Sequence, residues 1–131
     1  MRFASMLVLP LALSACEQAK SAPVKETAPG LAAAVQAKTA KIVFIDKENA
    51  CDCTQKRIDA TWAALQAALG PSPSLPVERI HLDTQAARAD SFTLLKPLMV
   101  PPGIYFLDDR NGLIEMLQGE VSQEQIAANL K

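Results

Sequence analysis

Two cysteines separated by one residue, in Ala50-Cys51-Asp52-Cys53-Thr54, are the residues of this chain best suited to chemistry. An apolar, β-branched stretch, Lys41-Ile42-Val43-Phe44-Ile45-Asp46, precedes them. A helical pattern follows, with Ile58, Trp62, Leu65 and Leu69 on one face. A thiol at a helix start meets the positive end of the helix dipole and unpaired backbone N–H groups, and both favour the thiolate. The thiolate is the nucleophile of thiol–disulfide exchange, so a pair placed there points to redox chemistry. A static bridge this short would close almost no loop and stabilise little.

A disulfide needs Cα atoms about 4.4–6.8 Å apart, which residues i and i+2 reach only where the backbone between them bends, as at a helix start. The ring is tight, so Cys51 and Cys53 are expected to form a labile disulfide with a potential between about −120 and −200 mV. Lys56 and Arg57 are expected to lower the thiol pKa, and Asp52 to raise it. Asp52 is also a candidate N-cap, with Gln55 three residues on.

The alternative chemistry is metal binding. Two soft thiolates one residue apart suit Cu(I), and His81, the single histidine, is the remaining candidate ligand. His81 alternates with Ile80 and Leu82 in a strand-like run, Val77–Asp83, which predicts a solvent-facing side chain. A closed zinc site within one chain lacks the ligands. No phosphate-binding glycine loop and no Ser/His/Asp set is present, so no cofactor is implied. Net charge is −1, which offers no basic field to nucleic acid. Trp62, Phe92 and Phe106 read as core.

The elements around this pair fit one domain in a chain of 131 residues. Residues 1–15 read as a signal segment, since the apolar run Phe3–Leu13 is far short of the ~20 residues a membrane-spanning helix needs. It ends in Leu13-Ser14-Ala15-Cys16, which resembles the bacterial lipobox and makes Cys16 the expected lipidation site; an ordinary secretory signal is the other reading. With Cys16 lipidated, Cys51 and Cys53 remain as a closed pair in an oxidising compartment. Residues 16–30 are polar with two prolines and read as a tether, whose ~14 flexible residues reach about 20 Å. The expected location is the periplasmic face of a bacterial membrane, and Glu17 after Cys16 favours the outer membrane.

Residues 31–131 hold the domain, in the order (α)βαβαββα. Leu31–Ala40 is alanine-rich and predicted helical. The helix after the cysteines stops at Gly70-Pro71. Thr84–Leu95 is predicted as a helix with Ala87, Phe92 and Leu95 inward. Strands Ile104–Leu107 and Leu113–Leu117 flank an Asn-Gly turn, and Ser122 with Gln125 opens a last helix by a capping box. A strand–helix–strand unit plus a hairpin predicts a mixed sheet flanked by helices.

This order, with a cysteine pair at the first helix's start and Pro102 just before the third strand, resembles the thioredoxin superfamily over roughly residues 38–131. Pro102-Gly103-Ile104-Tyr105-Phe106-Leu107 stands where that family has its cis-proline and following strand, and Asp109-Arg110-Asn111-Gly112-Leu113 is similar to its hairpin. The resemblance implies a thioredoxin-like α/β fold, a cis-proline at Pro102 with Pro101 as rival, Cys51 as attacking nucleophile and Cys53 as resolving thiol. It implies protein dithiols or disulfides of the cell envelope as partners. The family pattern is Cys-x-x-Cys, whereas here Thr54 stands at the second cysteine's place, and Gly103 replaces a small β-branched residue. The direction of electron flow therefore does not carry over. Copper-delivery proteins also occur on such folds, and the fold can equally be a binding scaffold.

Overall fold

The computed structural model describes residues 37–131. The signal segment, Cys16, the tether and most of the expected Leu31–Ala40 helix lie outside the described residues, and residues 37–40 have no regular structure. Seven elements follow: β1 (Lys41–Asp46), α1 (Asp52–Leu69), β2 (Val77–His81), α2 (Ala86–Thr93), β3 (Gly103–Leu107), β4 (Leu113–Gln118) and α3 (Gln123–Ala128).

The strands make one mixed sheet in the order β2-β1-β3-β4. β1 and β2 are parallel and are joined through α1; β1–β3 and β3–β4 are antiparallel. Central position explains composition: Ile42 to Ile45 in β1 and Ile104 to Leu107 in β3 are fully buried, so both strands read as unbroken apolar runs. On one face Ile42, Phe44, Ile104 and Phe106 pack with Ile58 and Leu65 of α1, with Val121 just before α3 and with Ile126 of α3. On the other, Val43, Ile45, Ile80, Tyr105, Leu107 and Met116 pack with Ala89 and Phe92 of α2. Burial of these side chains contributes about 1.5–3 kcal/mol each before entropy is charged against it. Phe106 and Phe92 lie in the core, and Trp62 packs against it edge-on to Phe44, ring centroids 4.9 Å apart.

The hairpin turn follows from its residues. Asn111 adopts φ 62°, a conformation asparagine tolerates. The Asp108 carboxylate accepts from the Arg110 and Gly112 N–H groups at 2.8 and 2.7 Å. A Cβ on Gly112 would stand 2.7 Å from that carboxylate, so a larger residue would displace the group that holds the turn.

α2 departs from the expected helix. It stops at Thr93, with Ala89 and Phe92 buried, while Ala87 faces solvent and Leu95 is 50% exposed. Leu94, Met99 and Val100, in the connection to β3, are exposed as well. α3 begins as predicted: Ser122 Oγ accepts from Gln125 N–H, and the Gln125 side chain accepts from Ser122 N–H.

Candidate functional site

The site begins where β1 ends. Residues 47–51 leave the sheet and turn into α1, and a carboxylate in the turn after β2 holds that segment. Asp83 accepts from Glu48 N–H at 2.9 Å, Asn49 N–H at 2.8 Å and the Asn49 side-chain amide at 3.3 Å. The two backbone N–H groups are the main reason its carboxyl falls to about 2. Ala50 packs against the core, and Cys51 stands at the helix N-cap in extended conformation, φ −66° and ψ 156°.

The cap therefore lies one residue before Asp52, the expected one. Asp52 is already helical, and the Cys51 side chain forms no capping bond. Both thiols are free and exposed. Their sulfurs are 3.1 Å apart, about 1 Å beyond a disulfide bond length of about 2.05 Å. The structure thus presents the expected pair as a dithiol in contact. The Cys51 thiol donates to Thr54 Oγ1 at 3.2 Å.

These contacts set the acidity. The Cys51 thiol is lowered to about 7, chiefly by the Thr54 hydroxyl, then by the Cys53 thiol and the Thr54 backbone N–H. Deprotonation lets the hydroxyl turn and donate to sulfur, which stabilises the thiolate. The cause is local, rather than Lys56 or Arg57 as the sequence suggested. Those two cations instead line a cleft of about 340 Å³ with Cys53, Ala60 and Glu120.

Arg57 donates from Nη1 to the Pro101 carbonyl at 3.4 Å, tying α1 to the loop before β3. In that loop the Pro101–Pro102 peptide bond is cis and Pro102 is buried. The end of β4 fixes the same loop: Gln118 Oε1 accepts from Met99 and Val100 N–H, and Gly119 N–H reaches the Val100 and Pro102 carbonyls at 3.0 and 2.8 Å. A Cβ on Gly103 would stand 2.7 Å from Leu98 Cδ1, so Leu98 fills the space a β-branched residue would need.

No protein-family model, curated protein or solved structure matches the chain.

His81 is engaged rather than free. Its Nδ1 bonds the Asp46 carboxylate, which is fully buried and also receives Nε and Nη2 of Arg79. The Arg79 guanidinium lies 4.7 Å from the Trp62 ring and 5.6 Å from Phe44. Register explains the cluster: Asp46 pairs with His81 across the parallel β1–β2 ladder, and Phe44 with Arg79. Among the described residues no group of three or more His, Cys, Asp and Glu side chains could hold a metal ion, so the donor set at the cysteines is the two sulfurs alone. Among the same residues no helix is long and apolar enough to cross a membrane.

The structure brings Cys51 and Cys53 into contact and places a cis bond before Pro102, and it adds Thr54 and Asp83, to which sequence reasoning gave no part in the site. Thr54 stands three residues after Cys51, the position whose N–H a capping side chain reaches. Placing the cap at Cys51 rather than Asp52 would have found it.

Proposed function

We propose that this protein is a thiol–disulfide oxidoreductase on a thioredoxin-like fold, held by lipid on Cys16 at the periplasmic face of a bacterial membrane. The observation that carries the reading is the pair of exposed, free thiols 3.1 Å apart at the start of α1. The mixed sheet, the helix that starts at the thiols and the cis bond before Pro102 support it further.

In the proposed reaction the Cys51 thiolate attacks one sulfur of a substrate disulfide. A Cys51–substrate S–S bond forms, the substrate S–S bond breaks, and the departing thiolate carries away the electron pair and takes a proton from water. The Cys53 thiol, giving its proton to water, then attacks Cys51 Sγ. A Cys51–Cys53 disulfide forms and the second substrate thiol leaves. The substrate gains two electrons and the protein loses two. Run backwards, the same steps oxidise a substrate dithiol. Cys51 suits the first attack because a thiol with pKa about 7 is half ionised near neutrality while keeping nucleophilicity.

The test is trapping. The reduced full chain with Cys53→Ser should accumulate a stable mixed disulfide at Cys51 with a model disulfide, visible by mass, whereas wild type should turn over. Silence of both toward disulfides, with tight Cu(I) binding by wild type alone, would overturn the reading in favour of copper carriage on the two sulfurs. For the anchor, Cys16→Ser should move the protein from the membrane to the soluble fraction, because the lipid supplies the membrane affinity. A variant that stays with the membrane refutes the lipid anchor.

A further inference from the structure

Helix α1 is electrically divided along its length. Cys53, Lys56, Arg57 and Ala60 follow the i, i+3, i+4, i+7 spacing of one helical stripe, and all four line the cleft of about 340 Å³ that Glu120 closes from the far side. Asp52, Gln55 and Asp59 form the adjacent stripe, where Gln55 Nε2 donates to Asp59 Oδ1 at 2.8 Å. Acidic groups thus stand on one flank of the thiols and basic groups on the other.

The basic flank opens on the cleft. Lys56 and Arg57 form no ion pair among the described residues, and Glu120 forms none either. Two cations against one carboxylate leave the cleft with one net positive charge. Arg57 also donates to the Pro101 carbonyl, which ties the side chain that lines this cleft to the loop before β3. Neighbours at i+3 and i+4 bring side chains within about 5–6 Å at Cβ, so a negative group entering the cleft beside Cys53 meets both cations.

We infer that this cleft selects substrates whose reacting sulfur carries a carboxylate nearby, either a small anionic disulfide or a cysteine flanked by acidic residues in a polypeptide. The inference rests on the redox reading above. The second exchange is in line and turns the leaving sulfur away from Cys53, so the cleft acts on encounter: a disulfide that approaches the exposed thiols from this flank passes both cations before its sulfur reaches Cys51. A carboxylate there is attracted by Lys56 and Arg57; an ammonium is repelled.

Three small disulfides of similar size separate the outcomes: dithiodipropionate with two carboxylates, hydroxyethyl disulfide with no charge, and cystamine with two ammonium groups. Oxidation of the reduced full chain is followed with each. At low salt the anionic disulfide should react about fivefold faster than the cationic one, as expected for one favourable contact between solvated charges. The ratio should shrink toward one in about 0.5 M salt. Lys56→Glu should reverse it, and Glu120→Gln should widen it, a gain that a folding defect cannot mimic. Lys38→Glu, on an exposed residue outside the cleft, controls for net charge and should leave the ratio as in wild type. Disulfide-linked peptides with Glu or Lys beside the cysteine form a second arm. A preference in both arms assigns the cleft to carboxylates generally, and one in peptides alone assigns it to polypeptides. Equal rates for wild type in both arms, or a ratio unmoved by Lys56→Glu, overturn the inference while leaving the redox reading intact. Reaction with none of the probes brings down the redox reading itself.

Discussion

The starts of α1 and α3 solve one problem in opposite ways. Every helix begins with backbone N–H groups that lack partners. α3 satisfies its own: Ser122 and Gln125 exchange side-chain and backbone bonds in a closed capping box. α1 has at the same position a cysteine whose thiol forms no cap. Order there comes from outside, through the grip of Asp83 on Glu48 and Asn49. A self-capped start has its third-residue donor already taken. A start held from another loop keeps its donors for whatever negative charge arrives, and at α1 that charge is the Cys51 thiolate. The Thr54 N–H that a serine cap would consume is among the groups that lower the Cys51 thiol to about 7.

The largest effect should come from making α1 resemble α3. Cys51→Ser replaces the proposed nucleophile with a true capping hydroxyl. Disulfide exchange should fall to the uncatalysed background, while the domain gains about 0.5–1 kcal/mol and melts a few degrees higher. Paired exchange assays and thermal melts check both halves. Loss of activity with a lowered melting temperature would break the comparison.

Next in size is Thr54→Val, which removes the hydroxyl that does most to stabilise the thiolate. Because the folded pKa is depressed, the wild-type alkylation rate should rise as pH increases through about 7 and then level off. In the variant the rise should move toward the ordinary thiol range. Reaction near pH 7 should then slow about tenfold for every pH unit by which the midpoint of that rise moves up. Iodoacetamide kinetics across pH measure this. A profile identical to wild type would return the acidity to the helix dipole or to Lys56 and Arg57.

The smallest effect concerns the other helix. Ser122→Ala should cost about 1 kcal/mol through the lost cap and leave the alkylation profile unchanged. Denaturant unfolding of the two proteins gives the difference. A shifted thiol profile would mean that the two helix starts are coupled through the α1–α3 contact.

The same contrast explains what the sequence made legible. Ser122 and Gln125 form a local device, so both the motif and the helix could be read directly. β1 and β3 were readable because strands buried on both faces leave unbroken apolar runs. The cysteine pair stood out by spacing alone. The register of α1 did not, because aspartate is the better cap by local preference, yet the cap fell on Cys51. The clasp responsible joins Asp83 to residues 34 and 35 positions earlier, and no local pattern announces such a contact. α2 was misjudged for a related reason. Its inward stripe is only Ala89 and Phe92, while Leu94 and Leu95 are apolar without facing the core. The Asp46–Arg79–His81 cluster likewise depends on the parallel β1–β2 register, which alternation within one strand cannot supply.

Strand β1 lies between β2 and β3, yet β3 does not begin until Gly103. A chain still being made, complete only through β2, therefore has its central strand bare along one edge and α1 without α3 beside it. Joining segments so distant in sequence is a slow step for a domain this small, and until it happens the bare edge is open to foreign pairing. The polypeptide thus remains threadable until nearly its last residues have been synthesised.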